Sequence, residues 1–219
     1  QQVIDAAPFV QFAQRVGPDD EEQTSLRALA IECIHGVHGI RNAGTLQLGA
    51  AERLSNSSAL NVLAGASVDL NGSNETVASI AGAGAIQLGA SGATLATAGT
   101  TTTTFSGVLA GTGNLTKGGT GTLTLSGANS YTGATQVNAG TLIAANATAL
   151  GGTATGTTVA SGATLRVSNA AVGNENVTIS GNGVSNAGAL TGAGTASLAG
   201  NVTLGAASRF PCGRRSGDR

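Results

Sequence analysis

The chain has 219 residues, ten Lys and Arg against eleven Asp and Glu, and a formal net charge of −1; only 10% of it is charged and 2% aromatic. A hydrophobic fraction of 41% argues against disorder, and a spanning helix needs roughly 20 consecutive apolar residues, whereas glycine and polar residues interrupt every run here. With no basic face and almost no aromatic stacking surface in the long central part, nucleic acid is not an expected partner.

The N-terminal flank, residues 1–41, holds six acids and three arginines. Residues 1–16 lack a basic n-region and an uninterrupted apolar stretch, so no signal peptide is expected there and the chain is expected to be a mature or incomplete piece. Over 19–34, acids fill a first turn, and Leu26, Leu29, Ala30, Cys33 and Ile34 recur at helical spacing before Gly36. The spacing predicts an amphipathic helix that caps the open end of the repeats that follow. Cys33, His35 and His38 offer three metal-ligand types, but a structural zinc site takes four, so the end of that helix is the simpler reading. No cofactor or metal is expected.

From residue 42 to 208 the composition changes. This stretch carries seven charges, Glu52, Arg53, Asp69, Glu75, Lys117, Arg166 and Glu175, with 30 of the 35 glycines and none of the three prolines. A small-hydroxyl-aliphatic triplet recurs as Gly44-Thr45-Leu46, Ala66-Ser67-Val68, Ala93-Thr94-Leu95, Gly121-Thr122-Leu123, Gly140-Thr141-Leu142 and Ala163-Thr164-Leu165. Gly-x-Gly motifs recur at 82–84, 111–113 and 192–194, and their spacing suggests a step near 27. Periods of about 20–50 residues mean solenoids, propellers or arrays. Short strands without helices favour a β-solenoid, one turn per repeat, with Leu, Val, Ile and Ala stacked from turn to turn. Glycine suits its corners, and the absence of proline leaves every ladder donor available. Seven turns at about 4.8 Å would make a rod on the order of 34 Å tall.

Alternation is clearest from 115 to 142. Leu115, Lys117, Gly119, Gly121, Leu123, Leu125, Gly127, Asn129, Tyr131, Gly133, Thr135 and Val137 occupy the odd positions, with small or polar residues between them. The run closes on Gly140, Thr141 and Leu142. A period of two is the mark of strands whose alternate side chains face opposite ways. The odd positions are therefore expected inside, and Thr122 and Thr124 outside. Leu123 is expected to stack on Leu95 below and Leu142 above.

The tail, residues 209–219, has four arginines and one aspartate. Its abrupt change of composition is the expected signature of an out-of-register or truncated gene end, and the N-terminal flank carries a weaker version of it. Cys33 and Cys212 are the only cysteines. They would lie at opposite ends of a rod, beyond the reach of a disulfide, so both are expected to be free thiols.

These twelve alternating positions and closing triplet resemble the autotransporter passenger-associated strand repeat of Gram-negative type V secretion proteins. Looser similarity extends over about 44–205. The resemblance implies an all-β, right-handed parallel β-helix, exported and threaded through an outer-membrane barrel to the cell surface. It also implies a stalk-like or adhesive, non-catalytic role, with a host or matrix surface as partner. The barrel itself, which needs tilted amphipathic strands flanked by aromatic girdles, is missing from this chain.

Other chemistries fit less well. The Gly-x-Gly motifs lead into more strand, whereas a nucleotide loop needs strand, glycine turn and helix. Gly118-Gly119 and Gly151-Gly152 lack the aspartate of calcium-binding repeats. Parallel β-helices also serve as polysaccharide lyases and hydrolases, which need clustered carboxylates or an acid–base pair. Four acids dispersed over 42–208, with no histidine, supply neither. Asp69 and Glu75 are expected in a turn beside Asn71-Gly72, and replacing them and Glu175 by amides is expected to leave the fold intact. Thr-x-Thr at 100–104, 122–124 and 155–157 would suit a flat lattice such as ice if all lay on one face. A β-prone solvent surface explains them as well.

Overall fold

The computed structural model describes residues 30–34, 37–41, 44–89 and 93–205. Its regular elements there are strands, apart from one 3-10 turn at Val184–Asn186. Each strand is two to five residues long, because glycine and small polar residues break every alternating run after a few positions. A strand this short has too few ladder bonds to stand alone, and it is held by its neighbours above and below.

The chain begins with β1 (Ala30–Ile34), β2 (Val37–Arg41) and β3 (Gly44–Gln47). It then winds through β4 (Ala59–Val62), β5 (Ala66–Asp69) and β6 (Glu75–Val77). The next two coils are β7 (Ser79–Gly82), β8 (Ala85–Gln87), β9 (Thr94–Thr97), and β10 (Thr103–Phe105), β11 (Val108–Ala110), β12 (Asn114–Lys117). Two coils have only two strands each: β13 (Thr122–Leu125) with β14 (Thr135–Val137), and β15 (Thr141–Ala144) with β16 (Thr157–Val159). The last two are β17 (Thr164–Ser168), β18 (Ala171–Val172), β19 (Val177–Ile179), and β20 (Leu190–Ala193), β21 (Ser197–Leu198), β22 (Val202–Leu204).

Strands of successive coils stack in parallel into three faces. The first is nine-stranded, β1-β2-β4-β7-β10-β13-β15-β17-β20. The second is four-stranded, β11-β8-β5-β3, and a two-stranded sheet β18-β21 forms in the later coils. The third has seven strands, β22-β19-β16-β14-β12-β9-β6. From β4 to β22 this is an all-β parallel solenoid of seven complete coils. The expected fold class is what forms.

The interior is a set of columns. On the first face Leu123, Leu142, Leu165 and Leu190 lie in register one above another. On the second, Leu46, Val68, Ile86 and Leu109 do the same. Both series form one continuous apolar core with Phe105 and Tyr131. Each buried aliphatic contributes about 1.5–3 kcal/mol, and the sum over a column exceeds what any single coil could supply.

Three expectations are corrected. The helix expected over 19–34 is absent where its end is described: Ala30–Ile34 is β1, paired antiparallel with β2, which in turn pairs in parallel with β4. The edge of the first face offers unpaired N–H and C=O groups, and extended pairing with that edge outweighs a weak helical periodicity. Residues 19–29 lie outside the described residues, as do residues 1–16 and the tail 209–219. Second, the coil is shorter than 27. Glu75, Leu95, Leu115 and Thr135 are register neighbours at intervals of 20. Third, the hydroxyl triplets do not mark one face: Thr45 and Ser67 stand on the second, Thr94 on the third, and Thr122, Thr141 and Thr164 on the first. Leu123 therefore stacks on Thr103 below, not Leu95, while Leu142 above is as expected. Leu95 lies under Leu115.

Candidate functional site: the stacked repeat at 115 to 144

From Leu115 to Val137 burial alternates without a break. Leu115, Lys117, Gly119, Gly121, Leu123, Leu125, Gly127, Asn129, Tyr131, Gly133, Thr135 and Val137 are all buried, and each even position is at least partly exposed. The phase shifts by one at the corner of Ala139, and Gly140, Leu142 and Ala144 continue inside while Thr141 is half-exposed. Gly140 turns that corner at φ 66°, where a Cβ would lie 2.3 Å from the carbonyl oxygen of Gly121. At another corner the backbones touch directly: a Cβ on Gly107 would lie 1.7 Å from the Gly84 oxygen, and one on Gly127 1.8 Å from the Gly107 oxygen. Only glycine allows three successive coils to approach so closely.

Several inward positions are polar, and each is tied to another coil. Asn129 is buried; its Oδ1 accepts from Leu109 N at 2.9 Å in the coil below, and its Nδ2 donates to Ala149 O at 2.6 Å above. It thereby replaces ladder bonds where the second face has no strand. Tyr131 is fully buried, and its hydroxyl shares a 2.5 Å hydrogen bond with Thr135 Oγ1. Burial holds its phenol well above the usual titration range. Lys117 is 3% exposed; its Nζ donates to the carbonyls of Gly119 and, at 3.2 Å, Ala139. Burial pushes its amine down from the ordinary lysine range.

Two glutamates are also inside. Glu75 lies fully buried on β6 and accepts from the backbone of Arg53 at 3.0 Å and Leu54 at 2.6 Å. Burial raises its pKa and these two bonds partly offset the rise. The expectation of a turn holds for Asp69, whose Oδ1 accepts from Asn71 N at 2.8 Å, but not for Glu75, which clamps the loop of the preceding coil. Glu175 accepts from Thr157 Oγ1 at 2.7 Å with one oxygen, while the other is buried without a partner. Burial raises its pKa as well. The sequence reading missed this inward role, although Asn74-Glu75-Thr76-Val77 and Asn174-Glu175-Asn176-Val177 share one pattern that could have revealed it.

The other candidates do not converge. Cys33 and His38 are register partners across β1 and β2, and His35 lies outside the described residues. Among the described residues no cluster of His, Cys, Asp and Glu could hold a metal. Asp69 stands on the second face, Glu75 on the third, and Glu175 just before β19 in a later coil. Thr104 and Thr124 are register neighbours on the first face, but 155–157 leads into the third, so the three Thr-x-Thr segments form no single lattice. What does line up is a polar column outside the third face: Thr76, Ala96, Thr116, Gln136, Thr158, Thr178 and Thr203. A shallow depression of about 120 Å³ lies beside it, lined by residues including Thr155, Thr158 and Asn176. No helix among the described residues is long and apolar enough to cross a membrane.

Comparison with known proteins agrees with this geometry. Residues 115–144 match the family model of the passenger-associated-transport-repeat. Over 135 residues, 52% of the chain, it is 38% identical to a protein named adhesin BmaC autotransporter from Brucella suis biovar 1 (strain 1330). The chain spans only 4% of that relative's length. No solved structure matches it. The chain thus carries a passenger-associated repeat within a parallel β-solenoid and is similar in sequence to part of an autotransporter adhesin.

Proposed function

We propose that the solenoid, residues 42–208 in the sequence, is a segment of an exported autotransporter passenger. The strands β1 and β2 add a closing hairpin at its N-terminal end. It serves as a stiff stalk at the surface of a Gram-negative cell, with its outward polar faces available for adhesion to a host or matrix surface, and it depends on an outer-membrane barrel that another polypeptide segment supplies. The observation that carries this reading is the inside–outside alternation of 115–137, resumed after one corner over 140–144, stacked on both neighbouring coils and matching the passenger repeat. The name of the similar Brucella protein supports adhesion in particular.

A polysaccharide lyase or hydrolase is the alternative, and the placement of the acids speaks against it. Glu75 and Glu175 are 0% and 2% exposed and hold neighbouring coils. Neither has the open carboxylate that general acid–base work requires. The test is to fuse the full chain to an outer-membrane translocating barrel and express it in a Gram-negative host. Protease added outside intact cells should remove it, and the cells should bind matrix-coated surfaces better than cells bearing the barrel alone. Protection from external protease would overturn the passenger reading, and adherence equal to the barrel alone would reduce the role to a stalk. Turnover of an acidic glycan that is lost on Asp69→Asn would favour the enzyme.

A further inference from the structure

The triplet Asn-x-Thr recurs at one place in the coil. Asn74, Asn114, Asn176 and Asn201 stand where the chain enters the third face, in one register column with Thr94, Ala134 and Gly156. Two residues on, the same four coils place Thr76, Thr116, Thr178 and Thr203 in the next outward column. Where the first column is not asparagine, the second holds Ala96, Gln136 or Thr158. The asparagines have a structural reason. Asn74 Oδ1 accepts from Thr94 N at 2.9 Å, Asn114 Oδ1 from Ala134 N at 2.8 Å, and Asn176 Oδ1 from Asn201 N at 3.2 Å, each in the next coil. Those bonds need no hydroxyl two residues on, and Ala96 and Gln136 show that the strand needs none either. All four asparagines are nonetheless followed by threonine.

We propose that Asn74 and Asn176 are acceptor sites for an N-linked sugar, attached at Nδ2. Asn-x-Ser/Thr is the acceptor pattern for that modification. Residues i and i+2 of a strand project from the same face, so amide and hydroxyl are presented outward together. Asn74 and Asn176 are exposed, Thr76 and Thr178 half-exposed, and neither Nδ2 has a partner among the described residues. Other such triplets are less open. Asn114 is half-buried with its Nδ2 3.5 Å from Thr94 Oγ1, and Asn146 Nδ2 donates to Ser126 O at 3.4 Å. Ser58, the hydroxyl that follows Asn56, is buried, and Asn71 lies in a turn outside any strand. Asn201 is one coil, about 4.8 Å, from Asn176, and a sugar on one crowds the other. In the transfer, Nδ2 bonds to C1 of a diphosphate-activated sugar, the C1–O bond to the diphosphate breaks, and the amide proton lost from Nδ2 leaves with the diphosphate. Oδ1 is untouched and keeps its bond to the next coil, so the fold accommodates the sugar. Of the seven charged residues in 42–208, Glu75, Lys117 and Glu175 are buried. Neutral sugars along one edge supply the hydration that so few outward charges do not.

Mass spectrometry of the full chain, recovered from whole cells that naturally encode it, tests this. Peptides holding Asn74 and Asn176 should carry a sugar increment that fragmentation places on the asparagine, against the bare masses of the same chain from cell-free synthesis. Thr178→Val keeps Asn176 and the shape of the side chain, and should remove the sugar there while leaving the one on Asn74. Thr178→Ser should keep both. A single hexose identifies a nucleotide-activated donor, and a preassembled oligosaccharide a lipid-carried one. Bare asparagine at either position in the cell-derived chain would overturn the proposal, a readout that stands even if a variant fails to fold. So would a sugar at Asn176 that persists in Thr178→Val, or one that lies on Thr178 itself. Whole cells separate this result from the passenger reading, because the sugar is scored whether or not the chain reaches the surface.

Discussion

Individual side chains in this molecule matter according to which way they point. Leu123 is 2% exposed between Thr103 and Leu142, while Thr122 beside it is half-exposed. Leu123→Ala should cost about 2–5 kcal/mol, because it leaves a cavity between coils. Thr122→Ala should cost at most about 0.5 kcal/mol. Denaturant melts of the two variants check the asymmetry, which a one-residue strand slip would reverse. The buried acids set a pH dependence. Burial raises the folded pKa of Glu175 above the ordinary carboxylate value of 4.5, with the Thr157 bond opposing. A raised folded pKa means that this group's contribution is fully present below the unfolded value and is lost as pH rises through the folded one. Lys117, shifted downward, runs the other way: its contribution is complete above 10.5 and is lost as pH falls through its folded value. Glu175→Gln should therefore flatten the decline in stability that begins above about pH 4.5, relative to wild type, in melts followed from pH 4 to pH 8. Equal pH profiles for the two proteins would refute the assignment. The earlier expectation that amides at 69, 75 and 175 are neutral consequently narrows to Asp69, the one acid of the three at the surface.

At the scale of the element, a strand of three or four residues owes its position to corners and registers more than to its own propensity. The stacked glycines 84, 107 and 127 let neighbouring backbones meet where any Cβ would collide. Gly127→Ala should cost at least about 1–3 kcal/mol, the usual penalty for overpacking. Gly49→Ala is the control, since nothing lies within 4 Å of a Cβ there, and it should change stability by less than about 0.5 kcal/mol. A melt in which both variants behave alike would show that the corner relaxes freely. Asn129 plays the complementary part, because its amide supplies donor and acceptor to the coils below and above where the second face lacks a strand.

The whole molecule is quasi-one-dimensional, since each coil contacts chiefly the coils above and below. Its stability should then be close to a sum of coil and interface terms. Deleting residues 96–115, one interval of 20 on the third face, removes a coil while keeping the remaining columns in register. The shortened chain should retain a β-type circular dichroism spectrum and a cooperative melt at lower stability. Deleting only 96–105 should abolish the cooperative melt, because half a coil places outward residues of one face against inward residues of another. If the two deletions behave alike, stacking does not govern the fold.

Alternation, glycine content and the absence of proline were enough to specify strands, a repeating coil and the inside–outside assignment of 115–142. These properties depend on the period-two geometry of the backbone, which a linear pattern records directly. The sequence left the length of the coil and the identity of stacking partners open. Triplets of the same type sit on all three faces, so their spacing mixed coil length with steps around the coil, and Leu95 was paired with Leu123 instead of Leu115. Residues 30–34 read as the end of a helix because local spacing cannot register a sheet edge waiting to be paired. The polar interior was likewise decided in three dimensions. Glu75, Glu175, Lys117 and Asn129 are hydrophilic in any linear scale, and only the neighbouring coils, 20 or so residues away, bring the carbonyls, amides and hydroxyls that make it possible to bury them.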